Sequence, residues 1–247
     1  MSDKQDEFFV GYFPMPERLG QFYKVLVALL LCIGAGFAFW VSSSQQSAGK
    51  GQWNVADTSS FSGFLSIDPY PVLHTSGQNP RSIMLLTQGK HSAAAFTEAL
   101  DGKHVKVTGF SIERGGWMSM ELRNSDDITE TSAPEGASLP AVEPLETVTL
   151  SGEVVDSKCF IGVMKPGAGK VHRACAALCV AGGIPPMLVV KQTDGNSYGY
   201  LLVDHQGNSA AEEVAETIAM PVQITGRLER RGDLTYLRLS DNGLQRL

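Results

Sequence analysis

Basic residues are in the minority. Twenty Lys and Arg stand against 26 Asp and Glu over 247 residues, a net charge of −6. Without a concentrated positive stripe to meet phosphates, the chain is not expected to bind nucleic acid. Cysteine is scarce too, with four residues, too few for a disulfide-dense scaffold of this length. The P-loop, the dinucleotide fingerprint, the nucleophile elbow and H-E-x-x-H are all missing, so no motif marks the chain as an enzyme by itself. Apolar residues at 43% and charged ones at 19% are near globular averages, which excludes a disordered chain or a coiled coil.

What is present begins with one long apolar run. Val25 to Val41 is seventeen residues without a charge, about 25 Å of helix at 1.5 Å per residue. Phe22, Tyr23 and Trp40 flank it with rings suited to the lipid interface. A transmembrane helix is therefore expected over residues 23–42. A cleaved signal peptide is the alternative. The apolar run exceeds the usual signal core of about 7–15 residues, and Asp3, Asp6, Glu7 and Glu17 precede it. Lys4, Arg18 and Lys24 lie before the span and only Lys50 follows closely, which orients residues 1–22 as a cytoplasmic stub. Within the stub, Phe8 to Met15 reads FFVGYFPM, an anchor on the membrane surface or a docking strip for a partner subunit.

Residues 43–57 read as a tether. Residues 124–147 hold three prolines, six acids and no base, the composition of a linker. The segments on either side, 58–123 and 148–247, look alike. Met84–Leu122 aligns without gaps on Leu201–Leu239, pairing Ser92-Ala93-Ala94 with Ser209-Ala210-Ala211, Thr108-Gly109 with Thr225-Gly226, and Arg114-Gly115 with Arg231-Gly232. Such self-similarity points to a duplicated domain. Each copy has five short strands with a helix between the third and fourth, a pattern that resembles the OB-fold. The expected fold is mainly β: one N-terminal transmembrane helix followed by two tandem OB-like small barrels.

The second copy carries an insert, residues 156–183, between its first two strands. It contains Cys159, Cys175 and Cys179, every cysteine outside the apolar run, together with His172. Val171–Ala181 reads as a helix capped by Gly182-Gly183, so His172, Cys175 and Cys179 share a face at i, i+3 and i+7. Cys159 is expected to approach from the Gly/Pro-rich loop KPGAGK, residues 165–170. Three thiolates and an imidazole suit a tetrahedral soft-metal site, zinc or copper, and Met164 offers copper an extra thioether. Three other readings remain open. One is a disulfide from Cys159 to Cys175 or Cys179 with a leftover thiol. Another is a reactive thiol tuned by Lys170 or His172. The third is three cysteines packed as small apolar residues. Asp156-Ser157-Lys158, beside Cys159, reads either as a turn that orients a ligand or, more commonly for such a string, as a solvated turn.

The string D-S-K-C followed by H-R-A-C-A-x-L-C-x-x-G-G-I-P-P resembles a group of uncharacterised bacterial single-pass envelope proteins, strongly over about 30 residues. That resemblance implies a bacterial envelope location and a purposeful cysteine motif; the basic residues before the span then put the anchor in the inner membrane with the barrels in the periplasm. The expected role is an accessory or structural subunit of a membrane oxidoreductase complex, perched on the lipid bilayer and carrying a Cys3His metal or redox site. The alternatives are a periplasmic metal or cofactor delivery protein and a disulfide-stapled interaction module without metal.

Overall fold

The computed structural model describes residues 15–44, 51–162, 164–191 and 197–247. They fall into two compact units, residues 1–47 and 48–247. The first contains α1, Glu17–Ser44. It is long and apolar enough to cross a membrane, with no part of its apolar window buried against protein. It starts six residues before the expected span and so absorbs the end of the stub. Glu17 in its first turn complements the positive helix end. Of the strip Phe8–Met15, all but Met15 lies outside the described residues.

The second unit is two closed barrels. The first is formed by β2 (Ser59–Ser66), β3 (Val72–Thr75), β4 (Ser82–Thr87), β5 (His104–Arg114) and β6 (Trp117–Leu122), preceded by a short edge strand, β1 (Gly51–Trp53). α2 (Ala94–Thr97) and a 3-10 turn separate β4 from β5. β6 closes the ring by pairing parallel to β4 and antiparallel to β5. β7 (Ile128–Glu130) adds to β5. The second barrel has β8 (Val142–Asp156), then the insert with α3 (Ser157–Ile161) and α4 (Arg173–Ala181). β9 (Pro186–Lys191), β10 (Ser197–Val203), α5 (Ala211–Val214), β11 (Pro221–Arg231) and β12 (Leu234–Arg246) complete it. Its strand order is β10-β12-β11-β8-β9, also closed. The expected linker and tether are thus partly strand: β7 and the start of β8 lie in 124–147, and β1 lies in 43–57. Edge backbone that pairs is worth more than composition implies, since unpaired N–H and C=O groups are costly.

The duplication holds in three dimensions. α5 and β11 begin and end 117 residues after α2 and β5. The parallel pair Leu85 with Met120 recurs as Leu202 with Leu237. Ser92 and Ser209 accept from Ala94 and Ala211 N–H groups at 3.4 and 3.3 Å, each one residue ahead of the N-caps Ala93 and Ala210. Gly109 and Gly226 mark the same crossing. A Cβ there would lie 2.5 Å from the Glu121 carbonyl oxygen, or 2.3 Å from that of Arg238. Glycine is what allows the closing strand to approach.

The barrels share a core, which explains a sequence feature otherwise unaccounted for. In β4, Ile83 and Leu85 fill the first barrel, while Met84 turns out to pack with Tyr236, Phe160 and Leu201 of the second. In β9, Leu188 faces its own barrel and Met187 and Val189 face the shared layer. Continuous apolar runs in a small barrel signal strands buried on both faces. Polar contacts fix the alignment. The Tyr70 hydroxyl donates to the Leu202 carbonyl and accepts the Ala210 N–H at 3.2 Å. Burial raises the Tyr70 pKa to about 12, so it stays a donor. Asp233 accepts the Ser82 N–H at 2.7 Å.

Two predictions follow from this shared layer. Tyr70→Phe, which leaves the Leu202 carbonyl and Ala210 N–H without their partner, should lower stability by about 1–2 kcal/mol in urea titration while the barrels still unfold in one transition. Separate transitions for the two barrels would contradict the shared core. His74, wedged between the Ser66 and Ser82 hydroxyls at 3.0 Å each, has its pKa lowered by burial to about 4. An unfolded His takes a proton near pH 6.5, so the folded state loses ground as pH falls from 6.5 towards 4. His74→Gln should flatten the stability profile between pH 7 and pH 5.

Candidate metal centre

The insert is built by local rules at both ends. Asp156, fully buried, ends β8 and caps α3 by accepting the Cys159 N–H at 2.8 Å. At the other end, α4 finishes in a Schellman motif. The Gly183 N–H donates to the Val180 carbonyl at 2.9 Å and the Ile184 N–H to the Cys179 carbonyl at 3.0 Å. Gly183 takes the required positive φ of 86°. Ile184 then packs against Cys179 and Cys159, with Leu86 of β4 closing the pocket. His172 ends a 3-10 turn just before α4 rather than lying inside one continuous helix.

These elements bring the four expected residues together in two overlapping groups. The ligand atoms of Cys159, His172 and Cys175 lie within 4.8 Å of one another, as do those of Asp156, Cys159 and Cys179. Cys159 belongs to both. Tetrahedral zinc separates its sulfurs by about 3.7 Å. Cys159, His172 and Cys179 are buried and Cys175 is half-buried. No disulfide joins any of the four cysteines.

Asp156 has a second task. Its other oxygen lies 2.9 Å from Nε2 of His172. A carboxylate only accepts, so Nε2 carries the proton and the Nδ1 lone pair is left for a ligand. This is the orienting role that the sequence suggests for the Asp-Ser-Lys turn. The thiols are coupled: Cys159 is pushed up because it hydrogen-bonds Cys179, and Cys179 is held down by the same bond. Cysteines buried merely as small apolar residues would need neither this pairing nor a buried Asp–His couple.

One member of the site comes from the other barrel. Lys90, in the loop after β4, places Nζ 2.7 Å from Cys175 Sγ and 3.9 Å from Cys179 Sγ. Those sulfurs hold its pKa above the ordinary lysine value. Lys170, one of the two residues expected from sequence to tune a thiol, is exposed. Lys90 lies 85 residues from Cys175 and no local pattern advertises it. Met164 is 46% exposed, and its N–H donates to the Cys159 carbonyl at 3.0 Å. His74, His91, His104 and His205, assigned no role from sequence, do not join the cluster.

The donor set fits a soft divalent or monovalent ion. Three thiolates and one imidazole around zinc carry a net charge of −1, and the Lys90 ammonium balances it. Replacing Asp156 by Ala removes a cap and strands a buried imidazole. Equilibrium unfolding should show a loss of about 2–4 kcal/mol. Asp156→Asn keeps one carbonyl oxygen to cap Cys159 but turns a donor towards His172 Nε2, so it should lose less than Ala; no loss at all would mean that the carboxylate does not orient His172. Neither a protein-family model nor a curated protein sequence matches the chain.

Proposed function

We propose that the chain is a membrane-anchored accessory subunit that holds one zinc or copper(I) ion on Cys159, His172, Cys175 and Cys179. The observation that supports this reading is a pair of donor groups that share Cys159, one with His172 and Cys175 and the other with Cys179 and the buried Asp156, whose second oxygen meets the imidazole. α1 would be the anchor, with the N-terminus cytoplasmic, because Lys4, Arg18 and Lys24 precede it. The barrels would then stand in the periplasm of a bacterium, beside a membrane oxidoreductase complex as partner. The site lies in an insert whose Lys158 and Gly182 are tied to the first barrel. That suits a structural or electron-transfer support better than catalysis.

Delivery of the ion to another protein is the second reading. The half-buried Cys175 favours it, since exchange needs a ligand that an incoming thiolate can reach.

Metal content and free-thiol count on the full-length protein, purified in mild detergent without a metal-affinity step, test the proposal. About one equivalent of zinc or copper per chain, with three protected thiols, is expected. Cys159→Ser and Cys179→Ser should each lower the metal content at least tenfold under a competing chelator. A metal-free protein with one free thiol outside the membrane segment would mean a disulfide and would overturn the reading. Rapid loss of the ion to a chelator would select delivery over support.

A further inference from the structure

The contact between Lys90 and Cys175 is too close for a hydrogen bond to sulfur. Nζ and Sγ are 2.7 Å apart. N–H···O bonds centre near 2.9 Å, and sulfur, the larger atom, keeps its donors farther away still. A separation of this size is what two single bonds meeting at one bridging atom span.

The backbone around Lys90 is fixed to receive this pairing. The Lys90 carbonyl packs so tightly on Gly182 that a Cβ there would lie 1.8 Å from its oxygen. The Ser92 N–H donates to the Gly182 carbonyl at 3.0 Å. The buried Lys158 ammonium donates to the carbonyls of Thr87 and Gly89 at 2.7 and 2.9 Å. So the loop is clamped to both ends of the insert, and Lys90 is delivered to Cys175 from a rigid base. Cys175 is also the least buried thiol of the cluster, the one that a dissolved oxidant reaches first.

We propose that Lys90 and Cys175 form a reversible covalent N–O–S bridge, with dioxygen as the oxidant, that latches the two barrels together across the cluster. One oxygen atom enters between sulfur and nitrogen, forming S–O and O–N bonds. The thiol S–H and one N–H break, and those two hydrogens leave with the second oxygen atom as one water per bridge; starting from the ammonium, one further proton passes to solvent. Sulfur and nitrogen each give up two electrons, and dioxygen takes the four. Reduction reverses this with four electrons and four protons, supplied by two molecules of a dithiol such as dithiothreitol, and returns thiol, amine and water. The bridge stands on the Lys90–Cys175 geometry alone. Its consequence rests on the metal reading: a bridged sulfur is no longer a thiolate ligand, so the latch and the full Cys3His site exclude each other.

The test uses the full-length protein in detergent, purified without oxygen and divided into untreated and chelator-treated halves before exposure to air. Peptide mass spectrometry should find Lys90 joined to Cys175, heavier than the two free peptides by one oxygen less two hydrogens. Trypsin should no longer cut after Lys90, and dithiothreitol should restore both cleavage and the free thiol. Lys90→Arg keeps the charge and the fold and should abolish the linked peptide. Absence of that peptide from both air-exposed halves, or oxidation ending in a sulfinate or a disulfide at Cys175, overturns the proposal. Metal content of the anaerobic material separates the two ideas. A bridge in a protein that binds no metal removes the metal reading alone, and metal without a bridge in either half removes the latch alone.

Discussion

A single buried ammonium holds the cysteine cluster against the rest of the molecule. Lys158, 3% exposed, sits between Asp156 and Cys159 in sequence and spends all three of its N–H donors on the first barrel. It reaches the Glu121 carboxylate at 2.5 Å and the Thr87 and Gly89 carbonyls at 2.7 and 2.9 Å. Taking an ammonium and a carboxylate out of water is expensive, and only full hydrogen bonding makes the pair tolerable. The geometry meets that condition at one relative placement of the barrels. Shift the insert, and a buried charge is left without its partners. The indole of Trp53, with its centroid 5.5 Å from Nζ, adds a cation–π contact from β1.

From that anchor the division of labour between the two copies becomes clear. Both keep the barrel, the crossing glycine and the short helix after the third strand. Only the second has grown the insert, and the first supplies what the insert cannot: a wall and a counter-charge. Leu86 closes the apolar side of the pocket and Lys90 its polar side. Arg114 of β5 adds to the grip, donating to the Phe160 carbonyl with its guanidinium 4.0 Å from that ring's centroid. A copy without cysteines is therefore part of the cysteine site. The shared layer beneath, around Tyr70, Met84 and Tyr236, makes the arrangement rigid.

Electrostatics and packing work together at the cluster. Burial raises the cost of every charge, so each thiolate needs a compensating cation, whether an ion held by all four donors or the Lys90 ammonium alone. Asp156 contributes twice, ordering the Cys159 backbone and selecting the His172 tautomer. A cluster so arranged is prepared for soft-metal binding or thiol chemistry. A loop that merely bridges two strands would carry none of these couplings.

The sequence by itself determined the membrane-length helix, the duplicated five-stranded barrels and the gathering of Cys159, His172, Cys175 and Cys179. Each rests on a local or repeated signal: an unbroken apolar run, an ungapped self-alignment, close spacing within one insert. Asp156 was legible only as one of three residues before Cys159, a string that equally suits a solvated turn; its burial and its bond to His172 came from the fold. The composition of 124–147 misled, since acids and prolines there still form β7 and the start of β8 where strand edges need partners. The runs Ile83–Leu86 and Met187–Val190 carried the sign of a second packed face, but period-2 alternation within one barrel says nothing about what lies outside it. Only the tertiary structure decided that the other barrel lies there, and that Lys90 meets Cys175 and Lys158 meets Glu121. Those pairs are far apart in the chain, and their closeness comes from the fit of two barrel surfaces, which no short stretch of sequence encodes.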